Sequence, residues 1–399
     1  MSLASGFFMR GAARPGRVTL EDIMPALLQT IDPEGLEEFS VVFTDRSLNH
    51  MSKQFQGVMR DISTMLKEVY NADAVALVPG GGTYAMESVA RQFARGRRAL
   101  IVRNGWFSYR WTQIFEAGGF AAETHVAMAR RAGNDLQAPF APAAIEDVAA
   151  RIAEVKPDVV FAPHVETASG MILPEGYLKA LARAAHDAGA LFVLDCIASG
   201  CIWVDMKDVG VDVLISAPQK GWSASPSAGL VMMSAEAEKR LEATASDSFA
   251  LDLKKWRAIM AAYEGGGHAY HATMPTDALK AFRDTMAETK DYGFERLRAA
   301  QWALGNAVRA ELAARGIRSV AAEGFGAPGV VVSYTDDPEI QNGKKFAAQG
   351  VQIAAGVPLQ VGEGEGYRSF RIGLFGLDKL YDVDATVDRV RRALDAAMA

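Results

Sequence analysis

Short β-rich runs alternate with longer segments of helical periodicity over most of the chain. No other feature constrains the fold as strongly, because this alternation is the mark of βαβ units carrying a largely parallel sheet. The expected strands are AVALV (74–78), RALIVRN (98–104), DVVFAPH (158–164), ALFVLD (190–195), DVLIS (212–216) and GLVMMS (229–234). Between them, GTYAMESVARQFARG, PAAIEDVAARIAEVK and PEGYLKALARAAHDAG place apolar residues at helical spacing. Right-handed crossovers gather the loops after parallel strands at one edge of the sheet, and a ligand is expected there.

A chain of 399 residues, 50% hydrophobic and 23% charged, has room for two or three domains. The expected division is an N-terminal arm (1–30), a large α/β domain (31–291) and a smaller C-terminal α+β domain (292–399). In the arm, MSLASGFFMRGAARPGRV sets its arginines after a short apolar piece, the reverse of the secretory order. A polar, glycine-rich interval, AAYEGGGHAYHATMPTDALK (261–280), precedes a long amphipathic helix from about 292 to 315. The smaller domain then reads as strands GVVVSYT (329–335) and SFRIGLFG (369–376), closed by the helix ATVDRVRRALDAAMA.

The formal net charge of −6 and the absence of a basic run give no footprint for nucleic acid or an anionic membrane, so small-molecule partners are expected. No apolar stretch approaches the roughly 20 residues that a spanning helix needs. Cys196 and Cys201 form neither a disulfide framework nor a pair of zinc knuckles, which fits a reducing cytoplasm.

Three places can carry chemistry. In VALVPGGGTYAMES a strand runs through Gly80-Gly81-Gly82-Thr83 into a helix, and free amides at a helix N-terminus attract an anion such as phosphate. The same glycines satisfy the loose dinucleotide pattern G-x-G-x-x-A at Gly80, Gly82 and Ala85. A nicotinamide-dependent oxidoreductase, using NADP, is therefore a remote alternative, and a tight turn without a ligand is another. The dinucleotide reading wants an acid at the end of the next strand, where LIVRN ends in Arg103 and Asn104. Asp195 closes the very apolar strand ALFVL, a costly place for a carboxylate that lacks a cationic partner. Lys220 stands just past DVLIS, at the same edge of the sheet.

Taken singly, Asp195 reads as a helix cap and Lys220 as a snorkelling lysine. Together the phosphate cup, the acid and the lysine form the set that pyridoxal phosphate requires for its phosphate, its pyridinium nitrogen and its aldehyde. The expected metal set is none. His268 and His271 form an H-x-x-H pair with no third ligand, and His164 reads as a packed polar residue. The glycine-rich VGEGEGYR (361–368) reads as a mobile loop over the site.

From about residue 40 onward, PGGGTYAMES, NGWFSYR, HVETASG, LFVLDCIAS, SAPQKGW, AYHATMP and FRIGLFG, in this order along the chain, resemble the motifs of the class V, fold-type I pyridoxal-phosphate aminotransferases. Within that family the likeness is to the alanine/serine–glyoxylate aminotransferase branch. The resemblance implies Lys220 as the Schiff-base lysine, Asp195 as the pyridinium partner, and Gln219 beside the cofactor phosphate. It places Ile197 beneath the ring, Phe107 as the stacking aromatic where the family has Trp, and Thr167 near the phenolic oxygen. Gly81, Gly82 and Thr83 would face phosphate. Tyr270 and Thr273 would reach phosphate across a homodimer interface, and Arg371 would clamp the substrate carboxylate.

The implied reaction is ping-pong transfer of an amino group from alanine or serine to glyoxylate or pyruvate. Phosphoserine or 2-aminoethylphosphonate is the alternative donor. The family's N-terminal Pro-Gly-Pro segment is absent, and FSVVFTDRSLNHMSKQF keeps only an approximate match to the stretch after it.

Overall fold

The computed structural model describes residues 36, 39–41, 43, 44 and 46–398; the expected arm, 1–30, lies outside the described residues. Seven strands form the main sheet: β1 (Ala74–Pro79), β2 (Arg98–Arg103), β3 (Glu123–Met128), β4 (Val159–Pro163), β5 (Leu191–Asp195), β6 (Val213–Ser216) and β7 (Ala228–Met233). Their spatial order is β1-β7-β6-β5-β4-β2-β3. Neighbours from β6 through β3 pair in parallel. Strand β7 is the exception, running antiparallel to both β1 and β6.

The middle strands are apolar up to their last residues because helices cover both faces. Residues of β4, β5, β6 and β7 are all buried. Strand β3, ETHVAM, escaped the sequence reading for the complementary reason: it is an edge strand, half exposed, with Glu123 and His125 in it. The covering helices include α1 (Lys53–Tyr70), α2 (Gly82–Phe93), α3 (Trp106–Gly118), α4 (Ile145–Val155) and α5 (Glu175–Asp187). Helix α1 starts on a Ser52 cap and ends with Asn71 in the left-handed region, both ordinary stop signals.

The interval 261–280 is more ordered than its composition suggests. Helix Leu253–Glu264 runs into it and helix Thr276–Tyr292 begins inside it after Pro275, leaving only residues 265–275 as linker.

A second, three-stranded antiparallel sheet is built from Val330–Tyr334, Ser369–Gly373 and Ala354–Ala355. The expected long helix spans Phe294–Ala314 and the closing helix Val383–Met398. Gln301, fully buried in the long helix, donates from Nε2 to the carbonyls of Pro328 and Leu374, at 3.2 and 3.1 Å. One side chain thus ties the helix to two adjacent strands at one end of the small sheet. Trp222 is the centre of a buried aromatic cluster, 4.7 Å from Trp203 and 6.1 Å from Phe282.

Candidate active site

Lys220 follows β6 in a tight turn that two neighbours fix. A Cβ at Gly221 would stand 2.1 Å from the Gly200 carbonyl oxygen, so only glycine fits beside the lysine. Trp222, fully buried in the aromatic cluster, anchors the far side of the turn. The Lys220 amine has no hydrogen bond or ion pair among the described residues and lies 5.0 Å from the Phe375 ring centroid. Burial holds its pKa below the usual lysine range, Arg371 acts in the same direction, and Asp195 opposes them. The protein leaves this amine unengaged.

Asp195 ends β5, and only 7% of it is exposed. Its carboxylate accepts one hydrogen bond, from the Ile197 amide at 2.9 Å. Burial pushes its pKa up to about 7 and nearby Glu166 adds to the rise, against the opposing Ile197 amide, Arg110 and Lys220. A buried acid so poorly satisfied is suited to a cationic partner that the chain itself does not supply.

The glycine cup lies between β1 and α2. Gly80 adopts φ of 120°, and a Cβ there would press on the Tyr84 ring at 2.7 Å. A Cβ at Gly82 would stand 2.5 Å from Ile197 Cδ1. The amides of Tyr84 and Ala85 turn back to the Gly81 carbonyl. Those of Gly82 and Thr83 keep no acceptor among the described residues, as the first turn of a helix does. Beside them Gln219 Oε1 is buried without a partner.

These features meet in a cavity of about 310 Å³ lined by Gly81, Gly82, Thr83, Phe107, Thr167, Asp195, Ile197, Gln219 and Lys220. Free amides, an under-satisfied acid and an unengaged amine match the phosphate, ring nitrogen and aldehyde of pyridoxal phosphate. The set fits that cofactor.

Arg371 lies at the side of the cavity and does not line it. Its Nε donates to the Ala355 carbonyl at 2.9 Å, and its guanidinium carbon is 5.7 Å from the Phe107 centroid. Tyr270 and Thr273 are outside this chain's cavity: they bond each other at 3.2 Å, and Tyr270 is 55% exposed, packed on His50. His271 bonds the Phe249 carbonyl at 2.8 Å, and the described residues hold no cluster of three potential metal ligands. His164 is buried, 2.7 Å from the Ser199 hydroxyl, with its pKa pushed down to about 3 by burial and by Arg298.

The segment 361–368 is tied down, contrary to the expectation of a loose loop. Glu363 accepts the amides of Leu359, Gln360 and Val361, while Arg103 and Arg131 donate to the Gln360 and Glu363 carbonyls. Glycines in the sequence suggested mobility, whereas one carboxylate knots the backbone around itself.

Two site residues escaped the sequence reading. Glu166, fully buried, accepts the Phe107 amide at 3.1 Å, the Ser108 amide at 2.8 Å, the Ser108 hydroxyl at 2.6 Å and the Ala168 amide at 2.9 Å. It therefore fixes the first turn of α3 and, with it, the Phe107 ring. A Cβ at Gly105 would meet Glu166 Cγ at 2.7 Å, so the glycine of NGWFSYR makes room for this acid. Arg110 lines the cavity, donates to the Thr83 hydroxyl at 3.0 Å and lies 5.1 Å from the Phe107 centroid. Its place at the end of that same motif was the available signal.

Residues 25–355 match the protein family described as Aminotransferase class-V. The 2-aminoethylphosphonate–pyruvate transaminase of Paraburkholderia phymatum is 28% identical over 354 residues, 86% of this chain and 89% of that protein. The alanine–glyoxylate aminotransferase of Felis catus is 28% identical over 257 residues, 62% of this chain and 58% of that protein. Among solved structures, an alanine–glyoxylate aminotransferase from Nostoc sp. aligns with a TM-score of 0.71 at 22% identity, covering 86% of this chain and 88% of that one. The fold is thus the fold-type I architecture of pyridoxal-phosphate transferases, and the chain belongs to the class-V aminotransferase family.

Proposed function

We propose that the protein transfers the amino group of a small amino acid, alanine or serine in type, to a 2-oxo acid such as glyoxylate or pyruvate, with pyridoxal 5′-phosphate as cofactor. The observation that carries this reading is the pairing, in one cavity, of an unengaged lysine with an under-satisfied acid beside a glycine cup. Bound there, the cofactor supplies a carbonyl for amine exchange and an electron sink for the donor's α-carbon.

The chain's own residues then have distinct tasks. The Gly81, Gly82 and Thr83 backbone, with Gln219, holds the phosphate. Asp195 would keep a proton on the ring nitrogen, Ile197 and Phe107 would hold the ring, and Thr167 would bond the phenolic oxygen. Lys220 removes the proton from the donor's α-carbon, a task suited to an amine whose pKa lies below the ordinary range. Arg371 receives the donor carboxylate in two parallel hydrogen bonds.

Tyr270 and Thr273 serve the phosphate of the other chain in a homodimer, a reading supported by the exposed Tyr270 ring. The domain division 31–291 and 292–399 follows the two sheets, which fall on either side of it. Two buried, unbridged cysteines support a cytoplasmic setting.

Phosphoserine or 2-aminoethylphosphonate as donor is the second reading. It is favoured by Arg110, a cation lining the cavity whose only hydrogen bond among the described residues goes to Thr83.

The test is a visible spectrum of the purified protein, followed by titration with alanine, serine, phosphoserine and 2-aminoethylphosphonate singly. The reading expects a band at about 410–430 nm that is lost in Lys220→Ala and is bleached by the true donor. A protein that stays colourless with added cofactor, or one that binds NADP instead, would sink it.

A further inference from the structure

A second cavity lies away from the cofactor site. It measures about 1020 Å³ and opens between helix Phe294–Ala314, the hairpin containing residues 132–139 and the segment 316–326. Along the helix, Trp302, Asn306 and Arg309 succeed one another at spacings of four and three, so they share the face that lines it. The polar groups in this wall are unequally satisfied. Arg318 is already paired with Asp135 at 2.5 Å. Arg309 donates only to the carbonyls of Gly305 and Ala327 and has no carboxylate within ion-pair reach among the described residues.

A largely buried guanidinium with carbonyl partners alone carries an uncompensated charge. Burial accordingly pulls the Arg309 pKa down to about 10. Gly326 makes space for the group, since a Cβ there would stand 2.7 Å from Arg309 Nε. The planar indole of Trp302 lines the same cavity.

We propose that this cavity is a binding site for a small organic acid, which sets its carboxylate on Arg309 and its apolar body against Trp302. The inference does not rest on the transaminase reading. A run of hydrogen bonds joins its wall to the cofactor cavity. Arg309 donates to the Ala327 carbonyl, the Ala327 amide to the Gly170 carbonyl at 2.8 Å, and the Gly170 amide to the Glu166 carbonyl at 2.8 Å. Glu166 holds the turn that carries Phe107.

The test uses 4-bromobenzoate on the cofactor-loaded protein, with uncharged 4-bromobenzyl alcohol as the control. Arg371→Ala serves as the background, so that carboxylate binding at the cofactor cavity does not interfere. Calorimetry should find one site per chain for the acid and none for the alcohol. Arg309→Met should weaken it at least about tenfold, the loss of one charge-assisted contact. Trp302→Leu, which leaves the guanidinium bonds intact, should weaken it severalfold and guards against misfolding of the first variant.

In crystals, the anomalous bromine signal should lie beside Trp302. A bromine signal elsewhere, equal affinity for acid and alcohol, or unchanged affinity in a folded Arg309→Met protein would overturn the site. If Arg371→Ala instead left donor turnover intact, the carboxylate clamp would be wrong while this inference stood.

Discussion

Glu166 and Asp195 are two buried carboxylates at the same edge of one sheet, and they are treated in opposite ways. Glu166 accepts four hydrogen bonds, two of them from amides at the start of α3. Asp195 accepts one and is pushed up to about 7, chiefly by burial. The first acid is used up in holding architecture; the second keeps most of its capacity for something the chain does not provide. Burial alone therefore does not mark a reactive acid. The number of donors already aimed at it does.

The sharpest way to break this contrast is to remove each acid in turn. Asp195→Ala should lower donor turnover by about 10³-fold or more, measured by bleaching of the visible band, because proton placement on the cofactor depends on it. Glu166→Gln should act mainly on the fold. Its amide group would face backbone donors, costing on the order of 3 kcal/mol in denaturant unfolding while cofactor binding survives in the folded fraction. Equal catalytic losses from the two variants would erase the distinction.

The pH dependence of stability sharpens it further. Because the folded-state pKa of Asp195 is raised, its contribution is full below the ordinary Asp range and is lost as pH rises through about 7. The cofactor-free protein should thus weaken between about pH 4 and 7, by up to roughly 3 kcal/mol from this group, and Asp195→Asn should flatten that slope. A thermal melt series from pH 4 to 8 on both proteins decides it. An unchanged slope in the variant would mean that Asp195 is better compensated than its single hydrogen bond indicates.

Two smaller effects probe the surroundings of the acid. Gly82→Ala should cut cofactor affinity about tenfold, since its methyl would overlap Ile197, and adding Ile197→Val should recover part of the loss. Phe107→Trp should change turnover less than about threefold, because either ring can stack.

Much of the site was legible in the sequence because its signals are local. A glycine run after a strand, an acid ending an apolar strand and a lysine after another each sit within a few residues of their cause, and a parallel sheet brings strand ends to one edge. Glu166 was not legible in this way. Its partners Phe107 and Ser108 lie 59 and 58 residues away, so attention fell on the adjacent Thr167. Strand β7 was found, but its direction was not, since a buried strand has the same apolar pattern whichever way it runs. The segment 361–368 misled because glycine content reports what the backbone is free to do, whereas Glu363 determines what it does.

The reversed strand has a consequence for how the protein is made. The glycine cup hangs from β1, whose only sheet neighbour among the described residues is β7, and the Gly80 amide is further tied to the Ser227 carbonyl. Although the cup is synthesised early, its position is set by a segment roughly 150 residues later, beyond the turn that carries Lys220. A nascent chain that ends before Ser227 therefore lacks every partner that β1 and the Gly80 amide find in the sheet, and the cup gains its neighbour only after the Lys220 turn has been made.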